Sequence, residues 1–217
     1  MTKRYRVKEI FWSVQGEGAN AGTPCVFVRF AGCNLWDGVE EHRSRGAACA
    51  AYCDTDFVGG EAMTAAEVLA AMGAAWPGEG TKWCVLTGGE PLLQLDMELA
   101  VALVDAEWAI AIETNGTVAV SLALARLATH ICVSPKRETD WRELGLVPDE
   151  VKVVLPGGWR DYEVEEIGVW ARDAELFVQP QDEGDNGAKH LGRCLDFLRA
   201  HPEWRLSCQV HKFVGLR

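Results

Sequence analysis

Three cysteines with no obvious fourth partner share one loop-like segment of the chain. Cys33, Cys49 and Cys53 have the spacing C-x15-C-x3-C. A disulfide would leave one of the three thiols over. A closed zinc site is tetrahedral and would need a fourth ligand, which His42 could supply. A catalytic cysteine would need a base beside it, and the sequence pairs none of the three with one.

An iron–sulfur cluster is a further possibility for these thiols. A cubane cluster normally takes four thiolates, so three protein thiolates leave one iron open. An open iron can bind a small molecule through an amino and a carboxylate group. The odd number of cysteines is then explained, because the small molecule completes the coordination. We favour this interpretation over the zinc site.

The remaining five cysteines stand in apolar surroundings of strand or helix type. Free cysteine in such surroundings behaves as a small buried hydrophobic residue. Clustered thiols in a reducing compartment bind metal or do chemistry more often than they form disulfides. The five that we expect to be buried are Cys25, Cys84, Cys132, Cys194 and Cys208.

Composition narrows the classes of function. The 217 residues are 48% hydrophobic, enough for one sizeable core, and predict a single domain over residues 1–217 with the cysteine loop at 33–53. A formal net charge of −11 argues against a nucleic-acid partner. No apolar run reaches the roughly 18–20 residues that span a membrane, and the charged start has no apolar region behind it. We therefore expect a cytoplasmic protein with no membrane partner.

Short β-branched runs alternate with helical patterns along the chain. Thr64 and Glu67 have the spacing of a capping box and predict a helix that runs through Met72. Further helices are predicted at 95–106, 121–128, 163–171 and 188–200. Strands are predicted at 26–30, 82–86, 108–112, 131–133, 150–155, 176–178 and 206–211.

Strands that alternate with helices indicate βα units and a parallel sheet. About six such strands are too few for a closed eightfold barrel. The predicted fold is therefore α/β: a partial, open TIM-like barrel with helices outside and an N-terminal hairpin extension. Polar motifs follow four of the strands, where α/β folds place their functional groups. They are TGGEP at 87–91, ETNG at 113–116, SPK at 134–136 and QPQ at 179–181.

These motifs together resemble the radical S-adenosylmethionine (SAM) superfamily. A three-cysteine loop follows the first strand, Tyr52 precedes its last cysteine, and TGGEP follows the next strand. From near residue 7 to the end, the chain further resembles the 7-carboxy-7-deazaguanine synthase family. The matching segments are EIFWSVQGEG (9–18), VRFAGCNL (28–35), CDTDF (53–57), ETNGT (113–117), SPK (134–136) and QVHK (209–212).

The resemblance implies a lyase with a [4Fe-4S] cluster, SAM and Mg²⁺ as cofactors. Members of the family use a 5′-deoxyadenosyl radical to take a hydrogen from C6 of 6-carboxy-5,6,7,8-tetrahydropterin. The ring contracts, ammonia is lost, and 7-carboxy-7-deazaguanine forms for queuosine and related 7-deazapurines. A one-electron donor such as flavodoxin and a homodimer are also implied. The protein supplies binding, orientation and exclusion of water, while the cofactor carries the difficult chemistry.

The same resemblance assigns roles to residues. The three loop cysteines bind the cluster, and Gly88, Gly89 and Glu90 hold the methionine end of SAM. The other residues on the SAM side are Tyr52, Glu113, Asn115, Ser134, Lys136 and Gln179. The residues on the substrate side are Gln15, Glu17, Arg29, Thr87, His211 and the terminal Arg217. Amides and carboxylates match the donors and acceptors of a pterin edge, and an arginine matches its carboxylate.

Thr55 matches the family position that binds Mg²⁺ beside the substrate carboxylate. Asp54 and Asp56 are equally suitable from sequence alone, because Mg²⁺ prefers oxygen ligands and keeps several waters. The cysteine spacing departs from the C-x3-C-x2-C of most of the superfamily. The longer loop predicts a small extra helix over the cluster.

Two other functions remain open. A radical activase would use the same cofactor on a protein partner, but such enzymes usually carry the shorter cysteine spacing. The GEG run at 16–18, Arg29 and the HK pair at 211–212 would then be unexplained. A zinc-stabilised binding module would be colourless, hold one zinc and have no need for TGGEP.

Overall fold

The computed structural model describes residues 2–137, 139–182 and 187–216, and these form one nine-stranded open sheet with helices packed on it. The strands are β1 (Tyr5–Val14), β2 (Pro24–Phe30), β3 (Glu61–Met63), β4 (Lys82–Gly88), β5 (Trp108–Thr114), β6 (His130–Val133), β7 (Glu150–Leu155), β8 (Glu175–Pro180) and β9 (Arg205–Leu206). Their order across the sheet is β3-β1-β2-β4-β5-β6-β7-β8-β9.

The pairing confirms the predicted open α/β architecture. From β2 through β4 to β9, each strand pairs in parallel with the next. β1 pairs antiparallel with both β2 and β3, so the N-terminal hairpin extension is also confirmed. The sheet does not close, because β3 and β9 lie at its two ends.

The helices follow the predicted pattern with small changes at their ends. They are α1 (Ala65–Ala75), α2 (Met97–Asp105), α3 (Leu122–Ala125), α4 (Asp161–Trp170), α5 (Gly187–Ala200) and α6 (Val210–Phe213). The capping box of α1 is present: Thr64 N–H donates to the Glu67 carboxylate at 2.6 Å, and Thr64 Oγ1 accepts from Glu67 N–H at 3.3 Å. The helix predicted at 121–128 is a single turn.

The strand predicted at 206–211 is wrong. β9 ends at Leu206, and α6 begins only four residues later. Ser207 N–H still donates to Val178 of β8 at 2.9 Å, but Val210 N–H donates to the Gly16 carbonyl, also at 2.9 Å. The chain therefore leaves the sheet after Ser207 and lies against the β1–β2 loop. This long-range contact overrides the local strand preference.

Alternation along each strand separates a packed face from a functional face. In β2, Val26, Val28 and Phe30 are buried in the main core with the helices. Residues of the opposite parity, such as Arg29, lie on the other face, and Arg29 pairs in register with Thr87 of β4. On neighbouring strands, the residues that alternate with the core positions also face this side of the sheet. Their polar side chains therefore lie together at the carboxyl ends of the strands.

The cysteines outside the loop behave largely as predicted. Cys25, Cys84, Cys132 and Cys194 are buried, while Cys208 is only half-buried. Burial raises the pKa of Cys25 and of Cys194 to about 12. Among the described residues, no helix is both long and apolar enough to cross a membrane.

Candidate active site

Two adjoining cavities open at the carboxyl ends of the parallel strands. They measure about 220 and 300 Å³, the scale of a small-molecule site. The first is lined by the cysteine loop and the ends of β4 to β8, and the second by the β1–β2 hairpin, α6 and the residue before α6. The residues that line both are Glu17, Asp54, Thr55, Thr87, Glu113 and Gln209.

Arg43 makes hydrogen bonds that connect two parts of the cysteine loop. Two 3-10 helices, Glu40–Arg45 and Ala48–Tyr52, provide the small extra helical structure that the long spacing predicts. Arg43 donates to the carbonyls of Ala50 and Cys53, and its guanidinium lies 4.7 Å from the Trp36 ring centroid. Arg43 therefore joins the middle of the loop to its last cysteine.

Cys33, Cys49 and Cys53 all line the first cavity. Cys33 and Cys53 pack against an apolar cluster that contains Trp36 and Phe57. Within the described part of the chain, no three His, Cys, Asp or Glu side chains are placed to hold a single metal ion. His42 Nδ1 contacts Asp37 at 2.5 Å, and among the described residues His42 does not form such a group with the three cysteines.

This arrangement suits a cluster better than a single ion. A cubane binds each thiolate through a different iron, so its ligands surround a volume and do not meet at one point. The three thiols border one cavity, and apolar side chains pack beside two of them. Burial raises the pKa of the Cys49 thiol to about 11, partly offset by Lys136. Assembly of a cluster must therefore displace protons from these ligands.

The two glycines of TGGEP allow this turn to press against the cysteine loop. A Cβ on Gly88, whose φ is +128°, would lie 2.2 Å from the Phe30 carbonyl oxygen. A Cβ on Gly89 would lie 2.0 Å from the Gly32 carbonyl oxygen. The backbone at Phe30 and at Gly32 could not move far enough to make room for a Cβ. Both glycines line the first cavity directly beside Cys33.

Glu90 lies behind the cavity and does not line it. Its side chain is fully buried. It accepts hydrogen bonds from Leu92 N–H at 3.0 Å, Thr114 Oγ1–H at 2.8 Å and Asn115 N–H at 2.8 Å. Burial raises the pKa of Glu90, and these hydrogen bonds oppose the rise. The carboxylate thus joins TGGEP to ETNG, and its role at the methionine end of SAM stays a prediction.

The other predicted SAM-side residues border the first cavity. Lys136 Nζ donates to Ser134 Oγ at 2.6 Å, and Ser134 N–H donates to the Thr114 carbonyl at 2.8 Å. Tyr52 has a buried hydroxyl with no hydrogen-bond partner among the described residues. Members of this set that line the cavity are Tyr52, Glu113, Asn115, Ser134, Lys136 and Gln179.

A buried lysine joins two of the three carboxylates that line both cavities. Lys152 Nζ lies 2.6 Å from Glu17 Oε2 and 3.2 Å from Glu113 Oε2. Burial tends to raise the pKa of Glu17, but the charge and hydrogen bond of Lys152 outweigh it and hold that pKa at about 2. Burial raises the pKa of Glu113 despite the same lysine.

The second cavity combines aromatic and charged walls. Phe11 and Phe27 stack with ring centroids 5.2 Å apart and line it together with Gln15, Arg29 and His211. Burial lowers the pKa of His211, so this imidazole is neutral near pH 7. The wall can therefore offer a flat apolar surface, a cation and a neutral imidazole to one ligand.

Thr55 and Asp54 line both cavities, whereas Asp56 points away from them. Asp54 pairs with Lys212 of α6 at 3.1 Å, and Asp56 pairs with Lys8 at 2.7 Å. Of the three oxygen donors considered for Mg²⁺, the structure thus brings Thr55 and Asp54 to the site.

Every predicted site residue that the structure describes lines one of the two cavities, except Glu90 and the alternative Mg²⁺ ligand Asp56. Arg217 lies outside the described residues. Sequence reasoning missed Lys152 and Gln209. A lysine inside the apolar run EVKVVL was a usable signal for the first, and the QVHK segment contained the second.

Known proteins resemble the chain over nearly its whole length. No family model matches it. The 7-carboxy-7-deazaguanine synthases of Burkholderia multivorans and Bordetella pertussis are each 44% identical to it, over 98% of the chain and 99% of the relative. That of Nitratidesulfovibrio vulgaris is 41% identical over the same shares.

A solved structure shares the fold. The crystal structure of QueE from Escherichia coli superposes with a TM-score of 0.67 at 23% identity, covering 96% of this chain and 95% of that one. That likeness supports the open parallel sheet, and the more similar sequences establish the relationship. The chain therefore belongs to the 7-carboxy-7-deazaguanine synthase family.

Proposed function

We propose that the chain is a radical SAM lyase that converts 6-carboxy-5,6,7,8-tetrahydropterin to 7-carboxy-7-deazaguanine and ammonia, in queuosine and other 7-deazapurine biosynthesis. One observation carries the proposal. A cavity bordered by three cysteines and a glycine turn meets a second cavity bordered by amides, carboxylates and an arginine. Glu17, Thr87 and Glu113 lie where the two meet, so a cofactor and a substrate can adjoin there.

The first cavity suits the cofactors. Cys33, Cys49 and Cys53 would hold a [4Fe-4S] cluster, and the backbone of Gly88 and Gly89 would lie against the methionine end of SAM. When bound, the cluster and SAM together supply a 5′-deoxyadenosyl radical that takes hydrogen from C6 of the pterin. The proposed SAM contacts also include Tyr52, Glu113, Asn115, Ser134, Lys136 and Gln179, which line this cavity.

The second cavity suits the pterin. Arg29 would pair with the substrate carboxylate, while Glu9 at 2.8 Å fixes the guanidinium through its Nε. The Glu17 carboxylate would accept hydrogen bonds from the pyrimidine edge, and the Gln15 amide would donate to it. The stacked Phe11 and Phe27 would exclude water from the ring. Further proposed contacts are Thr87, His211 and Arg217, and Thr55 would bind Mg²⁺ beside the substrate carboxylate.

The proposal extends to the setting of the enzyme. Residues 1–217 would act as one radical SAM domain in the cytoplasm. A one-electron donor such as flavodoxin would reduce the cluster, and two copies would form a homodimer. These features rest on the resemblance to the family.

The test is anaerobic reconstitution with iron and sulfide, followed by reduction and incubation with SAM, Mg²⁺ and the pterin. Mass spectrometry should detect both 5′-deoxyadenosine and 7-carboxy-7-deazaguanine. Formation of 5′-deoxyadenosine without 7-carboxy-7-deazaguanine would refute the proposed substrate and favour a radical activase. A colourless protein that holds one zinc and forms neither product would refute the whole proposal.

A further inference from the structure

Lys152 is an unusual residue for its position in the sheet. In β7, Val151, Val153 and Leu155 face the main core, and the intervening Lys152 faces the cavities. Its side chain is only 4% exposed. A lysine is almost never buried to this degree unless it is paired. The two partners are Glu17 and Glu113, which come from different parts of the fold.

The two carboxylates are held in the same way. Each gives one oxygen, Oε2, to Lys152. Each gives its other oxygen, Oε1, to an amide: Gln209 Nε2 donates to Glu17 at 2.8 Å, and Gln15 Nε2 donates to Glu113 at 3.1 Å. Both carboxylates still keep about a fifth of their surface exposed to the cavities. Their orientation is therefore fixed while one side remains available to a ligand.

We propose that Lys152 is a positioning residue for substrate recognition, which keeps Glu17 and Glu113 side by side as two ionised acceptors for the N–H groups of an aminopyrimidinone ring. This inference rests on the proposed function, and it assigns Glu113, which lines both cavities, to the substrate instead of SAM. Two carboxylates that share a buried site do not both stay ionised without a cation, because each disfavours the charge of the other. A protonated carboxyl would donate a hydrogen bond where the ring needs an acceptor.

The other cations that border the cavities do not replace Lys152, because Arg29 pairs with Glu9 at 2.8 Å, Lys212 with Asp54 at 3.1 Å, and Lys136 donates to Ser134 at 2.6 Å. Glu150 precedes Lys152 by two residues in β7 and lies on the same face, but it is paired with His130 at 3.1 Å and accepts from Ala19 N–H at 2.9 Å. The thiol of Cys132 also lies against Glu150, and burial keeps its pKa well above the usual value. His211 faces Glu17 from α6 and is neutral near pH 7, because burial lowers its pKa.

Loss of the lysine should affect the two carboxylates unequally. With Lys152 present, the pKa of Glu17 is about 2, although burial alone would raise it. The pKa of Glu113 is already raised by burial. Without the ammonium, Glu113 should therefore take up a proton first as the pH falls, and the pair should lose one acceptor.

The experiment compares reconstituted wild type with Lys152→Met and with Lys82→Met. Lys82 is the first residue of β4, at the end of the strand away from the cavities. It is half-buried and donates to the Ala106 carbonyl at 3.1 Å. In Lys152→Met the KM for the pterin should rise at least about tenfold at pH 6.5 and recover in part by pH 8.5, since breaking a buried pair is costly. Lys82→Met should match wild type at every pH. A KM within twofold of wild type, or raised equally at all pH values, would overturn the inference.

Thermal unfolding gives a second readout that needs no substrate. In Lys152→Met a buried carboxylate has a folded-state pKa above its unfolded value, so its ionisation destabilises the folded protein as the pH rises. The Tm of this variant, relative to wild type, should therefore fall as the pH rises above about 4.5, the ordinary glutamate value, and level off above the raised folded-state pKa. The double variant Lys152→Met/Glu113→Gln should lose that dependence, and should fold even if the single variant does not. Parallel Tm profiles for all variants would overturn the inference.

The two proposals can fail separately. If wild type makes no deazaguanine while the Tm profiles differ as described, the proposed function fails and the charge pairing by Lys152 stands. If wild type makes the product and Lys152→Met has an unchanged KM, the proposed function stands and the positioning role fails.

Discussion

Replacement of Glu90 by glutamine should destabilise the fold more than it weakens any ligand. The buried carboxylate accepts three hydrogen bonds, two at Oε1 and one at Oε2. A glutamine side chain has a single acceptor oxygen, so its NH₂ group must face at least one of the N–H or O–H donors. The donor left facing it is Asn115 N–H when the oxygen stays at the Oε1 position.

The expected cost follows from that contact. A hydrogen bond to a charged group contributes about 1.5–3 kcal/mol, and a buried unsatisfied donor costs about 1–3 kcal/mol. These two effects describe the same lost contact in part, so we expect a destabilisation of roughly 2–4 kcal/mol. For a chain of this size, that corresponds to a decrease in Tm of roughly 5–15 °C.

The assay is thermal unfolding of the reconstituted protein, with binding of SAM measured in parallel. Glu98→Gln is the matched control, because Glu98 is exposed in the first turn of α2. It should change the Tm by less than about 2 °C, as surface substitutions generally do. A Glu90→Gln variant with unchanged Tm but lost SAM binding would refute the reasoning. That result would mean that the carboxylate contacts the ligand directly and does not support the turn.

Three further changes probe other parts of the site. Gly89→Ala should abolish iron incorporation, measured by iron content, because its Cβ would lie 2.0 Å from the Gly32 carbonyl; wild-type iron content would contradict this. Arg43→Met should loosen the cysteine loop and speed loss of the cluster's visible absorbance in air, whereas Arg45→Met, also in the first 3-10 helix, should not. In the folded protein the pKa of Glu17 is lowered to about 2. The ionised Glu17 therefore stabilises the folded state fully above about pH 4.5, and this contribution is lost as the pH falls toward 2. The stability difference between wild type and Glu17→Gln should therefore shrink over that interval in urea unfolding, and a constant difference would contradict the pairing.

The arrangement of strands was predictable because each strand carries its own local signal. Alternating runs bounded by polar turns predict parallel βα units, and such units place their turns at one edge of the sheet. This is why the sequence alone could predict that the residues after β4, β5, β6 and β8 lie close together. The glycines of TGGEP were also recognisable, since close backbone approach needs glycine.

Long-range contacts were not predictable in the same way. The end of β9 depends on the hydrogen bond from Val210 to Gly16, which lie far apart in the sequence. The position of Glu90 behind the cavity depends on Thr114 and Asn115, which follow a different strand. Lys152 was visible as a cation in an apolar run, but its partners became evident only with the sheet register. Sequence patterns predict which residues lie at the carboxyl edge of the sheet. Tertiary contacts decide which of their side chains face the ligand.

The central claim is that the two cavities bring C6 of the pterin beside the deoxyadenosyl group. Its most direct test is a single incubation of the reconstituted, reduced enzyme with SAM, Mg²⁺ and 6-carboxytetrahydropterin that carries deuterium at C6. Mass spectrometry of the 5′-deoxyadenosine should then show one deuterium, together with formation of 7-carboxy-7-deazaguanine. Deoxyadenosine without deuterium in the presence of the labelled substrate would contradict the account.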